Sequence, residues 1–297
     1  MRKHISTSSY SSYNNCNSTP YEGCSFTGTN RPILSSSSSF TSCLWSKCEA
    51  ESGGGIYVDS ADIQLEVYTC QFLSCKATVN NGSGICARSS SRVHVNRSHF
   101  YDCNALTSHD GSDGGGGIYL SNISTEALIT STHFISCIVK YDGGGVALWY
   151  SYSKLNNNNT MQDCVFLNCS GNNQSVSEGG GSRIFYNNYN VGISNTLFSQ
   201  CSNYRGGGLE IELPLTVSTP VISFCLFHVN TAVTSGKDIY LQSCDNNPFL
   251  HSFTISSGHN RVTPEHWNET TNQDEWLPLT KFTIIRCRNQ NLFRGMF

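Results

Sequence analysis

Two short stretches, Gly114-Gly115-Gly116-Gly117-Ile118 and Phe134-Ile135-Ser136-Cys137, decide how this chain of 297 residues folds, because both recur along it. Glycine runs followed by an apolar or small residue also lie at 53–56, 82–85, 143–146, 179–182 and 206–209, with a weaker copy at 235–239. The Phe motif recurs about every 28 to 34 residues. A fixed period of this length indicates a solenoid, in which each repeat buries its apolar side only against its neighbours.

Between the two motifs the sequence alternates apolar and polar residues, as in Ile63-Gln64-Leu65-Glu66-Val67 and again in Ile56-Tyr57-Val58-Asp59. A period of two is typical of half-buried strands. Each repeat therefore predicts three short strands and three turns. We expect an all-β fold, a single right-handed parallel β-helix of about seven to eight rungs. Residues 36–244 would form it, with a Ser-rich segment or cap at 1–35 and a degenerate final rung or cap at 245–297.

Stacked rungs place equivalent residues about 4.8 Å apart, so the repeat predicts vertical columns of identical side chains. The glycines suit sharp turns, where the backbone adopts positive φ, and close approach between rungs. The expected interior aromatic column is Phe40, Phe72, Phe100, Phe134, Phe166, Phe198 and Phe227. The expected cysteine column is Cys43, Cys75, Cys103, Cys137, Cys169 and Cys201. The last Phe motif ends in Asn230 instead of cysteine.

The 15 cysteines do not decide whether the protein works in an oxidising or a reducing compartment. Neighbours in a column would lie within disulfide range at Cα, but their Cβ atoms would point in parallel rather than converge. Buried reduced thiols that fill space are one interpretation, some disulfides a second and metal binding a third. A further column two residues before each Phe holds Cys70, Cys164 and Cys225, with Ser98, Thr132 and Thr196 at the equivalent positions.

Composition excludes several classes of protein. The net charge is −3 and charged residues make up only 13%, without a basic stretch, so we expect no nucleic-acid partner. Aromatic residues reach 11%, enough for a packed core rather than a disordered chain. No stretch reaches the ~20 apolar residues of a membrane span, and the N-terminus does not have the pattern of a normal signal peptide. No cofactor motif appears, because the glycine runs lack the pattern of phosphate-binding loops.

The repeats resemble those of the polymorphic outer-membrane proteins of chlamydiae, in which Gly-Gly-Ala-Ile alternates with Phe-x-x-Asn. Similar arrays occur in surface proteins of trichomonad protists. Residues from about 40 to 244 carry the resemblance; Phe227-His228-Val229-Asn230 matches the second motif fully, and the other copies have Cys in place of Asn. The resemblance implies a right-handed parallel β-helix used in adhesion or surface display, and therefore a cell-surface or extracellular location.

Two groups of residues are candidates for a site. Aromatic residues that follow the glycine runs, Tyr57, Tyr119, Trp149 and Tyr240, predict an exposed stripe able to stack on sugar rings or meet a partner protein. Acidic residues just before the glycine runs, Glu51, Asp113, Asp142 and Glu178, would line one edge of the solenoid. Together with Asp110, the aspartates Asp113 and Asp142 predict a Ca²⁺ site, with solvated turn residues as the simpler interpretation.

We expect a non-enzymatic scaffold for surface display, adhesion or ligand binding, with carbohydrate or a host or partner surface protein as its ligand. Two alternatives remain open at this point. One is a carbohydrate-active enzyme of the polysaccharide-lyase or glycosidase type, which would need several carboxylates and a basic residue within one groove. The other is an intracellular solenoid binding protein. The sequence assigns no catalytic residue.

Overall fold

The computed structural model describes residues 20–29, 34–90, 92–105, 114–149, 158–171, 177–185, 190–213, 221–243, 251–253, 262–264 and 282–284. These residues wind into a parallel β-helix with three eight-stranded sheets, here called sheets 1, 2 and 3. The chain passes from sheet 3 to sheet 1, then to sheet 2, and returns to sheet 3 through a short fourth strand and a glycine turn. The regular part comprises about six turns, slightly fewer than expected.

The strands are short and in register from turn to turn. Sheet 1 contains Tyr21–Glu22, Ser38–Thr41, Gln64–Tyr68, Arg92–Asn96, Glu126–Thr130, Asn158–Gln162, Asn190–Ser194 and Val221–Ser223. Sheet 2 contains Ser25–Thr27, Leu44–Ser46, Gln71–Leu73, His99–Tyr101, His133–Ile135, Val165–Leu167, Leu197–Ser199 and Leu226–His228. Sheet 3 contains Ile56–Asp59, Ile85–Arg88, Ile118–Ser121, Val146–Trp149, Ser182–Phe185, Leu209–Leu213, Ile239–Ser243 and Val262–Pro264.

Smaller sheets complete the described residues. Two-residue strands lie after sheet 2 at Glu49–Ala50, Lys76–Ala77, Asn104–Ala105 and Ile138–Val139, and the longer strands Ser202–Arg205 and Thr231–Ser235 follow in later turns. His251–Phe253 pairs antiparallel with Phe282–Ile284. The described part of the chain contains no helix with the length and apolarity of a membrane span.

An aromatic stack forms the centre of the core. Rings in sheet 2 point inward and lie face to face in successive turns, with centroids 4.5 to 5.0 Å apart. Its members are Phe26, Trp45, Phe72, Phe100, Phe134, Phe166, Phe198 and Phe227. Offset and face-to-face packing of such buried rings adds to the stability that their burial provides. The inner sides of sheets 1 and 3 supply Val, Ile and Leu around this stack.

The predicted column positions of two residues, Phe40 and Cys43, are wrong. Phe40 belongs to sheet 1, where it pairs with Val67, and Trp45 takes the place beside Phe72 that the sequence assigned to Phe40. Cys43 likewise lies next to Cys70 in the column that precedes the aromatic residues. The physical reason is that Trp fills the same interior position as Phe, so the first copy of the second motif reads Trp45-Ser46-Lys47-Cys48.

The glycines of each turn have different roles. Gly115 has a φ of +72°, which side chains with a Cβ rarely adopt. Gly117 instead lies against the core: a Cβ there would come within 2.7 Å of the Phe134 ring. The turn therefore needs glycine once for its backbone conformation and once to make room for the aromatic stack.

The turns on either side of sheet 2 have constant length. Two residues join each sheet 1 strand to sheet 2, and two residues join sheet 2 to the next segment, as Thr69-Cys70 and Ser74-Cys75 do. The first residue of each pair has positive φ, and most of them are polar. The connections on either side of sheet 3 vary in length from turn to turn: three residues separate Arg88 from Arg92, whereas eight separate Trp149 from Asn158.

The cysteines that follow these positive-φ residues are buried and form hydrogen-bonded ladders. The Cys43 N–H donates to Sγ of Cys70 at 3.4 Å, and the Cys70 N–H donates to Oγ of Ser98 at 3.1 Å. The Cys70 thiol in turn donates to the carbonyl oxygens of Phe40 and Tyr68 at 3.5 and 3.2 Å. Cys, Ser and Thr alternate in this column because each offers one small group that both accepts and donates.

Asn230 shows that the second column uses the same principle. Its Oδ1 accepts the Cys201 N–H at 2.9 Å, and its Nδ2 donates to the carbonyl of Phe198 at 3.0 Å. Eleven cysteines of the described chain are buried and carry reduced thiols. Cys24 is in a disulfide.

Candidate functional site

The outer face of sheet 3 carries two columns of side chains that point away from the core. Strand pairing places the first column at Tyr57, Cys86, Tyr119, Ala147, Arg183, Glu210 and Tyr240. The second column, two residues further along each strand, consists of Asp59, Arg88, Ser121, Trp149, Phe185 and Glu212. All four aromatic residues that the sequence singled out therefore lie on one face.

Their exposure differs from the prediction of an exposed stripe. Tyr119 and Tyr240 are only 5% and 2% exposed, whereas Tyr57 and Trp149 are half-buried. Tyr119 packs with Cys86 and Ala147 in a small apolar cluster outside the main core, flanked by Tyr57 and Trp149. Tyr119 and Tyr240 thus have a packing role, and Trp149 is the member that a ligand can reach most directly on the later turns.

Trp149 stacks on Phe185, its neighbour in the second column. The ring centroids are 4.2 Å apart and the planes differ by 16°. The guanidinium of Arg183 lies 5.3 Å from the centre of the Trp149 ring and 5.9 Å from that of Phe185, within the range of cation–π contacts. Arg205 lies in the same way 5.5 Å from the ring of Tyr240.

Arg183 is the centre of a charged cluster, here called the Arg183 cluster. Its Nη1 contacts Asp142, and its Nη2 lies 2.5 Å from Glu178 and 3.2 Å from Glu212. Glu210 lies beside it, with Oε1 4.0 Å from Nε. Arg205 completes the cluster with an ion pair to Glu178 at 3.1 Å. Four carboxylates therefore surround two guanidinium groups.

Successive turns bring these side chains together. Asp142 and Glu178 precede glycine turns and pair with each other through a parallel bridge that continues to Arg205. Arg183 and Glu210 occupy paired positions on neighbouring strands of sheet 3. The Arg183 cluster consequently links three consecutive turns of the solenoid. In addition, Oδ1 of Asp142 accepts the backbone N–H of Glu178 at 3.2 Å.

Burial controls the electrostatics of the cluster. Burial raises the pKa of Asp142 to about 7, with Arg183 opposing and Glu178 adding to the rise. Burial also raises the pKa of Glu210 well above its usual value, and the charge of Glu178 acts in the same direction. Burial lowers the pKa of Arg183, but the surrounding carboxylates outweigh it and raise that pKa overall. Arg183 therefore stays charged, while burial favours the neutral form of Glu210.

Glu210 has an unusual environment for a carboxyl group. It is fully buried, and within the described chain neither of its oxygens has a hydrogen-bond partner. The Nε of Arg183 is likewise buried without an acceptor in that part of the structure. Asp142 is 1% exposed. These two acids are closed to a substrate in this conformation, whereas Trp149, Phe185, Glu212 and Arg205 keep part of their surface accessible.

The predicted Ca²⁺ site is not assembled in the described residues. Asp110 and Asp113 lie outside them, so their part of the prediction stays a prediction. Asp142 is described, and its carboxylate contacts Arg183. Across the same portion of the chain, no group of three or more His, Cys, Asp or Glu side chains has an arrangement that would hold a metal ion.

The sequence missed Arg183, Phe185, Glu212 and Arg205. The signal for Arg183 was present, because Gly181-Ser182-Arg183 aligns with Gly55-Ile56-Tyr57 once the glycine motifs are superposed. In this turn the motif has Ser182 where the other turns have an apolar residue. The pattern therefore did not identify Arg183 as a member of the outward-facing column. Phe185 and Glu212 follow from the same registry, two residues further along.

Comparison with known proteins agrees with the topology. A family model described as a right-handed β-helix region matches residues 33–213, more than half of the chain. The chain belongs to this family. The Arg183 cluster therefore lies towards the C-terminal end of the family match, and Glu212 is among its last residues. No curated protein and no solved structure gives a significant match.

Proposed function

We propose that this β-helix is a binding scaffold of the display or adhesion type, and that the outer face of sheet 3 holds a carbohydrate chain. The observation that carries the proposal is the stacked Trp149–Phe185 pair beside the Arg183 cluster. A flat aromatic surface packs against the apolar face of a sugar ring, and adjacent charged groups hydrogen-bond its hydroxyls. The likeness of the repeats to surface proteins supports a location where such chains are met.

The arrangement suits a long ligand better than a small one. The partly exposed members Trp149, Phe185 and Glu212 occupy the same column on three successive strands. A polymer lying along the solenoid axis would meet each of them in turn, about 4.8 Å apart. A repeating ligand therefore matches a repeating surface.

Binding to immobilised polysaccharides tests this proposal. We expect the full chain to bind at least one polysaccharide, and Trp149→Ala to weaken the affinity about fivefold, since an aromatic contact contributes on the order of 1 kcal/mol. Tyr68→Ala, which removes a half-buried aromatic residue from the outer face of sheet 1, is the matched control and should bind like the unmodified protein. An equal loss in both variants, or no binding to any polysaccharide, would contradict the proposal.

A carbohydrate-active enzyme is the second candidate, and the four carboxylates around Arg183 are the observation that favours it. General acid–base cleavage of a glycosidic bond uses two carboxyl groups on either side of the bond. Asp142 and Glu210 are buried in the described structure, which supports binding over cleavage. Incubation with the bound polysaccharide separates the two: release of new chain ends that disappears in Glu178→Gln would establish the enzyme.

A further inference from the structure

The outer face of sheet 2 carries no Asp, Glu, Lys or Arg on any of its eight strands; we call it the neutral face. Its first column is Ser25, Leu44, Gln71, His99, His133, Val165, Leu197 and Leu226. Its second column is Thr27, Ser46, Leu73, Tyr101, Ile135, Leu167, Ser199 and His228. Burial lowers the pKa of His99 and of His133, so these two side chains stay neutral near pH 7.

Apolar side chains form the centre of the neutral face. Leu73, Tyr101, Ile135 and Leu167 follow one another in four consecutive turns, and all keep accessible surface. Tyr101 is 43% exposed and Leu226 is 49% exposed. The outer face of sheet 1 differs, because Arg92 and Glu126 pair there at 3.4 Å. A contiguous apolar patch of this kind marks a surface for association.

The positive-φ turn residues form a polar rim along both sides of the neutral face. The rim beside sheet 1 carries one base and one acid, Arg97 and Asp163. The opposite rim also carries one of each, Lys47 and Asp102. The remaining rim residues are uncharged, so each rim has no net charge. An apolar centre within a polar rim is the usual anatomy of a protein–protein interface.

The last described turn of sheet 2 extends the apolar surface across the rims. Phe224 and Val229 occupy rim positions that are polar in the preceding turns, and each is 62% exposed. A bulky or β-branched residue at positive φ is uncommon, which makes these two substitutions costly to the fold. Val221 and Val233 flank them and are 54% and 61% exposed. This turn therefore enlarges the neutral face at one end.

We propose that the neutral face is an interface with a second copy of this chain, in a two-fold dimer that packs sheet 2 against sheet 2. A two-fold contact brings each patch against itself, so the patch must not repel its own kind. The neutral face and its rims meet this condition, since their charges sum to zero while the whole chain carries −3. A strongly charged partner would instead require an opposite charge on this face.

The size of the face agrees with a reversible dimer. Eight strands about 4.8 Å apart and five residues across give a footprint of roughly 550 Å² on each copy. The dimer would then bury about 1,100 Å² in total, just below the range of stable complexes. Sheet 3 lies on another side of the solenoid, so both carbohydrate-binding faces would remain free in the dimer.

Sedimentation velocity over a concentration series tests the proposal on the full chain. We expect the average mass to rise from 32.6 kDa towards twice that value. Ile135→Lys with Leu167→Lys places two cations at the centre of the face and should leave the protein monomeric. The matched control, Leu128→Lys with Thr160→Lys, changes paired positions on the outer face of sheet 1 in the same two turns and should dimerise normally.

Hydroxyl-radical footprinting of the unmodified protein gives an independent answer if the lysine variants do not fold. Oxidation of Tyr101 should fall about twofold or more as the concentration rises, while oxidation of Tyr68 on sheet 1 should not change. A chain that stays monomeric at every concentration would overturn the proposal. So would a dimer in which Tyr101 is as reactive as in the monomer.

Discussion

Trp45 and Phe72 stack face to face, with ring centroids 4.5 Å apart and planes within 5° of parallel. This contact shows how the aromatic stack continues on the N-terminal side of Phe72. There a tryptophan occupies the position that phenylalanine holds in the following turns. Phe40 meets Trp45 only at its edge, at 68°, because it comes from sheet 1. The stack is therefore continuous over eight rings although its sequence motif changes.

Removing one ring from the middle of the stack should destabilise the protein strongly. Phe134 is fully buried between Phe100 and Phe166, so Phe134→Ala leaves a cavity that neighbouring turns cannot fill. We expect a loss of about 3–5 kcal/mol in the free energy of unfolding, measured by urea titration. Gln162→Ala at the exposed surface of sheet 1 should change it by less than about 0.5 kcal/mol, and equal effects would contradict the stacked core.

Two glycine-to-alanine substitutions distinguish steric crowding of the core from a general effect of alanine at glycine positions. A Cβ on Gly145 would lie 2.6 Å from the Phe166 ring, whereas a Cβ on Gly192 would meet no atom within 4 Å. Gly145→Ala should lower stability by about 1–3 kcal/mol because it overpacks the core. Gly192→Ala should be neutral or slightly stabilising. Thermal unfolding of the two variants side by side gives the answer, and a neutral Gly145→Ala would contradict the packing.

The Arg183 cluster should make stability depend on pH in an unusual direction. The pKa of Asp142 is about 7 in the folded chain and 3.8 for an ordinary carboxyl, so the folded state binds a proton that the unfolded state releases. This stabilisation is complete below the ordinary value and is lost as the pH rises through 7. Relative to Asp142→Asn, the unmodified protein should become more stable as the pH falls from 8 to 5.

Thermal unfolding of both proteins over that pH range measures the difference. Asp142→Asn is the suitable reference because it keeps the shape of the side chain and removes its titration. Groups elsewhere, such as His99, contribute equally to both proteins and cancel in the comparison. A difference that stays constant or shrinks on acidification would show that Asp142 is ionised in the folded protein at neutral pH.

The column thiols should be protected until the chain unfolds. Burial raises the pKa of Cys164 to about 12 and that of Cys225 to about 11, so neither forms the reactive thiolate near neutral pH. We expect iodoacetamide to leave both unlabelled in the native protein and to label both in guanidinium chloride, as mapped by mass spectrometry. Labelling of Cys164 at equal rates in the two conditions would contradict its position inside the solenoid.

The repeat period and the alternation of apolar residues were sufficient to predict the fold class and most of the aromatic column. The error at Phe40 arose because Phe40-Thr41-Ser42-Cys43 has the motif by chance, while the true copy begins with Trp45. Spacing alone could not distinguish them, since 32 and 27 residues to Phe72 are both plausible for a solenoid whose loops vary. Strand pairing between neighbouring turns settles the assignment.

The candidate site was predictable only in part. Registry places Tyr57, Tyr119 and Tyr240 on one face, but their exposure depends on what packs over that face, which no pattern within a strand records. The Arg183 cluster combines a strand residue with acids from two earlier glycine turns and a later strand. Its members are far apart in sequence, and the pKa of Glu210 follows from burial that only the assembled turns create.

Each turn of the solenoid has two connections of constant length, which flank sheet 2, and two connections of variable length, which flank sheet 3. Only the second kind tolerates insertions. The fixed turns enclose sheet 2, so an insertion there would move every later residue out of its column. The connections that flank sheet 3 already differ between coils, for example between Arg88–Arg92 and Trp149–Asn158. Foreign peptides could therefore be grafted into several coils at once along that edge. Peptides grafted into successive turns would then be spaced along the solenoid by the distance between neighbouring strands.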